Sequence, residues 1–234
     1  MLTGPQERPK KKGKLYMKNK KSIQRMVGIA SLAAITVVLQ VIANYITFGP
    51  VSITLALIPL VIGAILYGPW AGAFLGALMG AIILTAPSTG SFLAINPFLT
   101  VVICLVKTGV AGMVSGFIFK ALYRKNLTVA VILAAIAAPI VNTGLFAIGC
   151  MAFFWKTLQE WAGGSNTLGF LFLTMIGINF IIEFAVNSIL SPSIVYIVRI
   201  ISRNYNIGAN FNAGAIYNDH EIEQKLNDTL PLEE

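Results

Sequence analysis

The chain has 234 residues, of which 56% are hydrophobic and only 11% charged, with a formal net charge of +8. Soluble domains carry about 25% charged residues, so a chain this poor in charge cannot cover a water-facing surface and reads as an all-α integral membrane protein. The positive balance does not indicate a nucleic-acid groove, because nine of the 17 basic residues crowd before Met26.

Residues 1–25 read as a basic cytoplasmic tail held on anionic headgroups, carrying Arg8, Lys10, Lys11, Lys12, Lys14, Lys18, Lys20, Lys21 and Arg25. A secretory leader is the wrong reading. The apolar run that follows is too long for an h-region and lacks a small-residue cleavage site. Residues 26–200 then divide into six apolar segments: 26–46, 52–67, 70–85, 97–119, 127–154 and 168–198. The second and third are near or below spanning length. Six transmembrane helices with both termini cytoplasmic keep Lys120, Arg124, Lys125, Arg199 and Arg203 inside, as the positive-inside rule requires. Residues 201–234 form a polar cytoplasmic tail, acidic towards its end and without a catalytic signal.

Between the first two segments, residues 44–50 mix polar and aromatic groups ahead of Gly49-Pro50. Between the third and fourth, Pro87, Gly90 and Pro97 punctuate a stretch that reads as non-helical chain. Ser88, Thr89, Ser91 and Asn96 there offer hydrogen bonds, and Phe92 and Phe98 can stack on a ring or fill space. Together the two loops would make a lid over a pocket. Small residues recur every four positions: Ala30 and Ala34, then Gly72, Gly76 and Gly80, then Gly112 and Gly116. Such spacing lets helix backbones approach closely in lipid, so the glycines read as internal packing and the alanine pair as a dock for a partner helix.

Glu183 is the one acidic residue within an apolar segment and Lys107 the one basic residue. Asn179, Glu183 and Asn187 stand at i, i+4 and i+8, on one face of a helix. An ionised group in hydrocarbon costs at least about 2.5 kcal/mol, so both charges must face protein, water or a ligand. Two readings are open: the charges neutralise each other, or they line a ligand pocket with Asn142 of the fifth segment and Asn96 at its rim. Cys104 and Cys150 read as packed thiols, and the single histidine, His220, lies in the tail. No cofactor, metal site or catalytic residue is expected. An intramembrane enzyme lacks a nucleophile constellation, and a solo proton-coupled carrier using Glu183 is the main rival to a binding subunit. No phosphate loop is present to energise transport.

Residues 53–80 contain Ile58-Pro59, Gly63, Gly68-Pro69-Trp-Ala-Gly72, Gly76 and Gly80, and Lys107-Thr-Gly109 through Gly112 and Gly116 follow. This pattern resembles the substrate-binding S components of energy-coupling factor (ECF) vitamin transporters, over roughly residues 30–200. The resemblance implies a six-helix subunit that binds a water-soluble vitamin with high affinity near the outer face of a bacterial cytoplasmic membrane. It also implies association with a transmembrane coupling subunit and two cytoplasmic ATPases, with Ala30 and Ala34 contacting the coupling subunit. Lys107 beside amides suits an acid bearing hydroxyl and amide groups, which favours pantothenate over riboflavin or folate.

Overall fold

The computed structural model describes residues 10–45, 47–48, 51–52 and 56–204. In hydrocarbon the backbone must satisfy its own hydrogen bonds, and the chain does so almost wholly in helices. Helix α1 runs unbroken over Lys10–Ala43, so residues 10–25 of the basic tail continue the first span. A two-residue antiparallel ladder follows, β1 (Thr47–Phe48) on β2 (Val51–Ser52), with Thr47 opposite Ser52 and Phe48 opposite Val51. Then come α2 (Leu57–Tyr67), α3 (Pro69–Ile83), α4 (Pro87–Ile95), α5 (Pro97–Leu122), α6 (Leu127–Phe153) and the short α7 (Trp155–Trp161). The last span begins with one turn, α8 (Thr167–Gly169), passes through a π-helical stretch, Phe170–Gly177, and continues as α9 (Ile178–Asn204).

Proline and glycine place the breaks on either side of α3 and α4. Gly68 has φ 97°, where a side chain would be strained, and Pro69 occupies the first turn of α3. The stretch read as non-helical between the third and fourth segments is instead α4, bent 85° from α3. Pro87 and Pro97 start helices here: each sits in a first turn, where its missing N–H has no partner to lose. Asn96 ends α4 and caps α5, its Oδ1 accepting from the Leu99 N–H at 3.1 Å.

Among the described residues four helices are long and apolar enough to cross a membrane: Ile23–Ala43, Pro97–Leu122, Leu127–Phe153 and Thr167–Ile200. The bent α3–α4 pair makes a fifth by the same measure. With 11 residues, α2 reaches only about 16 Å, half the roughly 30 Å of a bilayer core. It is shielded by its neighbours, with Leu57, Leu60, Val61 and Ile65 fully buried. The chain is therefore a multi-pass membrane protein. Large apolar side chains such as Leu173, Ile181 and Ile189 point outward, as lipid contact demands.

The tightest seam lies between α3 and α5. A Cβ on Gly72 would strike the Gly112 carbonyl, one on Gly76 the Thr108 carbonyl, and one on Gly80 the Cys104 carbonyl. The helices are therefore antiparallel with their backbones nearly touching, as the glycine spacing predicts. Arg25 on α1 donates to the Tyr67 carbonyl at 2.8 Å and satisfies the end of α2. Around this frame one apolar cluster, including Leu60, Ile65, Leu75, Phe119 and Val198, fills one half of the bundle. A second, around Phe92, Cys150, Phe154, Leu171 and Met175, fills the other.

Replacing Gly76 with valine should force α3 from α5 and cost about 1–3 kcal/mol, seen as a lower melting temperature in detergent. Gly90 of α4 faces open space, and Gly90→Ala should raise the melting temperature or leave it unchanged. Equal losses in both variants would refute the seam as the source of stability.

Candidate functional site

A polar layer separates the two apolar clusters. Lys107 from α5, Asn142 from α6, and Asn179, Glu183 and Asn187 from α9 are all buried, with exposures of 6%, 3%, 5%, 4% and 1%. Five of the six residues singled out from the sequence as ligand contacts thus lie in one stratum of the bundle. The comb on α9 forms because its i, i+4, i+8 spacing keeps three polar side chains on one inward face. Glu183 lies across from Asn142, whose Nδ2 is 3.5 Å from Glu183 Oε2. Asn187 donates to the Glu183 backbone carbonyl at 2.8 Å, and Asn179 to the Met175 carbonyl at 3.2 Å. The Oδ1 atoms of Asn142 and Asn187 have no hydrogen-bond partner. Each such buried acceptor costs about 1–3 kcal/mol, so the layer is held at some expense to stability.

Lys107 places its ammonium over the ring of Phe146, 4.5 Å from the centroid. Burial strengthens such a cation–π contact, because no water competes for the charge. Phe146 belongs to an aromatic nest centred on Phe92, whose ring lies 5.9 Å from Phe146, 5.4 Å from Phe154 and 5.2 Å from Trp161, all edge to face. Phe92 therefore pins α4 onto α6 and α7. Its face is taken up by protein rings rather than offered to a ligand. Phe98 and Tyr45 are instead largely exposed, at 74% and 78%.

Three residues singled out from the sequence sit apart from the layer by role or place. Asn96 is half-buried and its side-chain oxygen is engaged in capping α5. Ala30 and Ala34 lie exposed on α1, on the face that also carries Val27, Ile35 and Val38.

Sequence reasoning missed two features. Phe146 gave no signal, since it is one apolar residue among many in its segment. A second polar row on α1, Thr36, Gln40 and Asn44, was legible by the same i, i+4, i+8 spacing as the comb. All three are buried. Gln40 Nε2 donates to Asn44 Oδ1 at 2.9 Å, and Asn44 Nδ2 donates to the Ile82 carbonyl at 2.9 Å and to Thr85 Oγ1 at 3.1 Å. This row clasps the ends of α1 and α3 together.

Among the described residues no group of His, Cys, Asp or Glu could hold a metal ion, and Cys104 and Cys150 are free, buried thiols. With one cation, one carboxylate, three amides and an aromatic wall, the layer can bind a small polar molecule by charge and hydrogen bonds.

Phe92→Ala should remove the pin on α4. The expected loss is about 3–5 kcal/mol, with faster amide exchange concentrated in α4. Unchanged protection there would refute the pin.

One family model, described as the substrate-specific component of an ECF transporter, matches residues 24–195. The match takes in every residue of the polar layer. A comparison with curated proteins finds no match.

Proposed function

The chain belongs to the substrate-specific components of ECF transporters, and on that premise we propose that it is the high-affinity vitamin-binding subunit of an ATP-driven importer in a bacterial cytoplasmic membrane. The observation that carries the reading is the buried layer of Lys107, Asn142, Asn179, Glu183 and Asn187. Intramembrane ionisable groups are expensive, and a binding pocket is the use that fits a family of transporter components rather than enzymes.

Pantothenate is the first candidate ligand, with riboflavin or folate behind it. The Lys107 ammonium, steadied on the Phe146 ring, would meet a carboxylate. Asn142, Asn179, Glu183 and Asn187 would exchange hydrogen bonds with the hydroxyl and amide groups. Asn96 would contribute from the rim through the amide nitrogen that its capping role leaves over.

Membership in the family brings ECF transporter partners in general. We assign this chain a transmembrane coupling subunit and two cytoplasmic ATPases, which supply the energy. Ala30 and Ala34, exposed on α1, would seat a helix of the coupling subunit, since small side chains let backbones meet closely. The topology proposed is six spans with both termini cytoplasmic. In it α2 and the bent α3–α4 pair supply the second and third passages, and the basic residues near Arg25, Arg124 and Arg199 stay inside.

Mass spectrometry of the purified protein should find a retained vitamin, and a vitamin panel should include one that raises the melting temperature. No retained molecule and no shift across the panel would refute the reading. Lys107→Met should weaken binding of a carboxylate vitamin about tenfold or more, roughly 1.4 kcal/mol. Replacing Ala30 and Ala34 together by tryptophan should leave binding intact and abolish ATP-driven uptake in vesicles. Substrate flux without the partner subunits would instead favour a solo carrier.

A further inference from the structure

The polar layer is ordered along the bundle axis. Asn142 approaches Glu183, and Arg199 Nη2 donates to Thr128 Oγ1 at 2.7 Å, so α6 and α9 run antiparallel. One turn along α6 from Phe146 to Asn142 therefore matches one turn along α9 from Asn179 to Glu183. Lys107, over Phe146, marks the end of the layer beside the aromatic nest. Asn142 and Glu183 lie about a turn deeper. Asn187 lies a further turn towards the other apolar cluster, so the layer is about 12 Å tall.

Along that height the cation stands at one end and the open acceptors at the middle and far end, while Asn179, one turn from Glu183 on the cation's side, spends its amide nitrogen on the Met175 carbonyl. The Asn142 amide nitrogen turns to Glu183 Oε2 and that of Asn187 to the Glu183 carbonyl. The amide oxygens of both residues are left open, on side chains 3% and 1% exposed. Beside the Glu183 carboxylate they make an acceptor wall. A buried acceptor is matched only by an N–H or O–H group, while the aromatic end offers a cation.

The geometry points to a two-ended ligand. Its anionic head, a carboxylate, meets Lys107, and its far end carries at least two N–H or O–H donors for Asn142 Oδ1 and Asn187 Oδ1. This deepens the vitamin-binding reading and rests on it. A ligand with a cationic head, or with an apolar or purely accepting far end, is excluded.

The test uses Asn142→Leu, Asn187→Leu and Lys107→Met in the full chain, with pantothenate, biotin, folate, riboflavin, thiamine and pyridoxine as probes. If the open oxygens serve a ligand, each leucine variant should melt at or above the wild-type temperature without ligand. Each should also bind the vitamin that shifts the wild type at least tenfold more weakly. That vitamin should be a carboxylate, and its methyl ester should bind the wild type at least tenfold more weakly but Lys107→Met no more weakly than the acid does. Leucine variants that bind like the wild type would overturn the acceptor wall, as would variants whose binding loss merely tracks a lower melting temperature. A thiamine- or pyridoxine-selective wild type would overturn the orientation. A wild type that binds none of the six and retains no molecule would remove the functional reading itself, and this inference with it.

Discussion

An unsatisfied polar group in hydrocarbon is so expensive that it governs nearly everything in this molecule. The backbone meets the requirement by coiling into helices, several of which break where proline or glycine stands. Their ends are closed locally: Asn96, Asn126 and Asn166 each accept from N–H groups of the turn that follows, and Arg25 reaches across to the last carbonyl of α2. Lipid provides no hydrophobic drive for helices to associate, so close packing must do it. The glycine seam between α3 and α5 is the result, and it sets where Lys107 can stand.

Against that rule the polar layer is an exception, shared among the described residues by Gln40 Oε1 on α1 and Ser188 Oγ on α9, which are also buried without a hydrogen-bond partner. Polar residues elsewhere in the interior mostly bond back to their own helix, as Thr108 does to the Cys104 carbonyl at 2.8 Å and Ser115 to the Ala111 carbonyl at 2.9 Å. Asn142 and Asn187 leave oxygens open instead. Leaving them open gives up stability, a cost that proteins usually bear at functional sites. The α1 row of Thr36, Gln40 and Asn44 differs in that its bonds reach to α3 and tie two elements together. The π-helical stretch Phe170–Gly177 immediately precedes the comb on α9, and π segments recur beside functional sites.

Much of the architecture was legible without coordinates, because lipid leaves few options. Long apolar runs had to be helices, glycine every fourth residue had to be a contact, and Glu183 with Asn179 and Asn187 had to face inward. A structural misreading, the non-helical stretch before Pro97, came from taking proline as a breaker. Proline at the first turn starts a helix as readily as it ends one. The pairing of Lys107 with Glu183 was open for a related reason: spacing within a helix says which residues share a face, but not which face another helix brings opposite.

Composition and periodicity thus determined the class, the buried comb and the glycine seam, since each follows from local spacing and the cost of polarity in hydrocarbon. Only the tertiary structure decided that Lys107 rests on Phe146, that Asn142 approaches Glu183, and that Phe92 is spent on packing α4. Those are contacts between helices far apart in the chain, set by the depth at which the α3–α5 seam and the antiparallel α6–α9 pair lock. No periodicity within one segment encodes that depth.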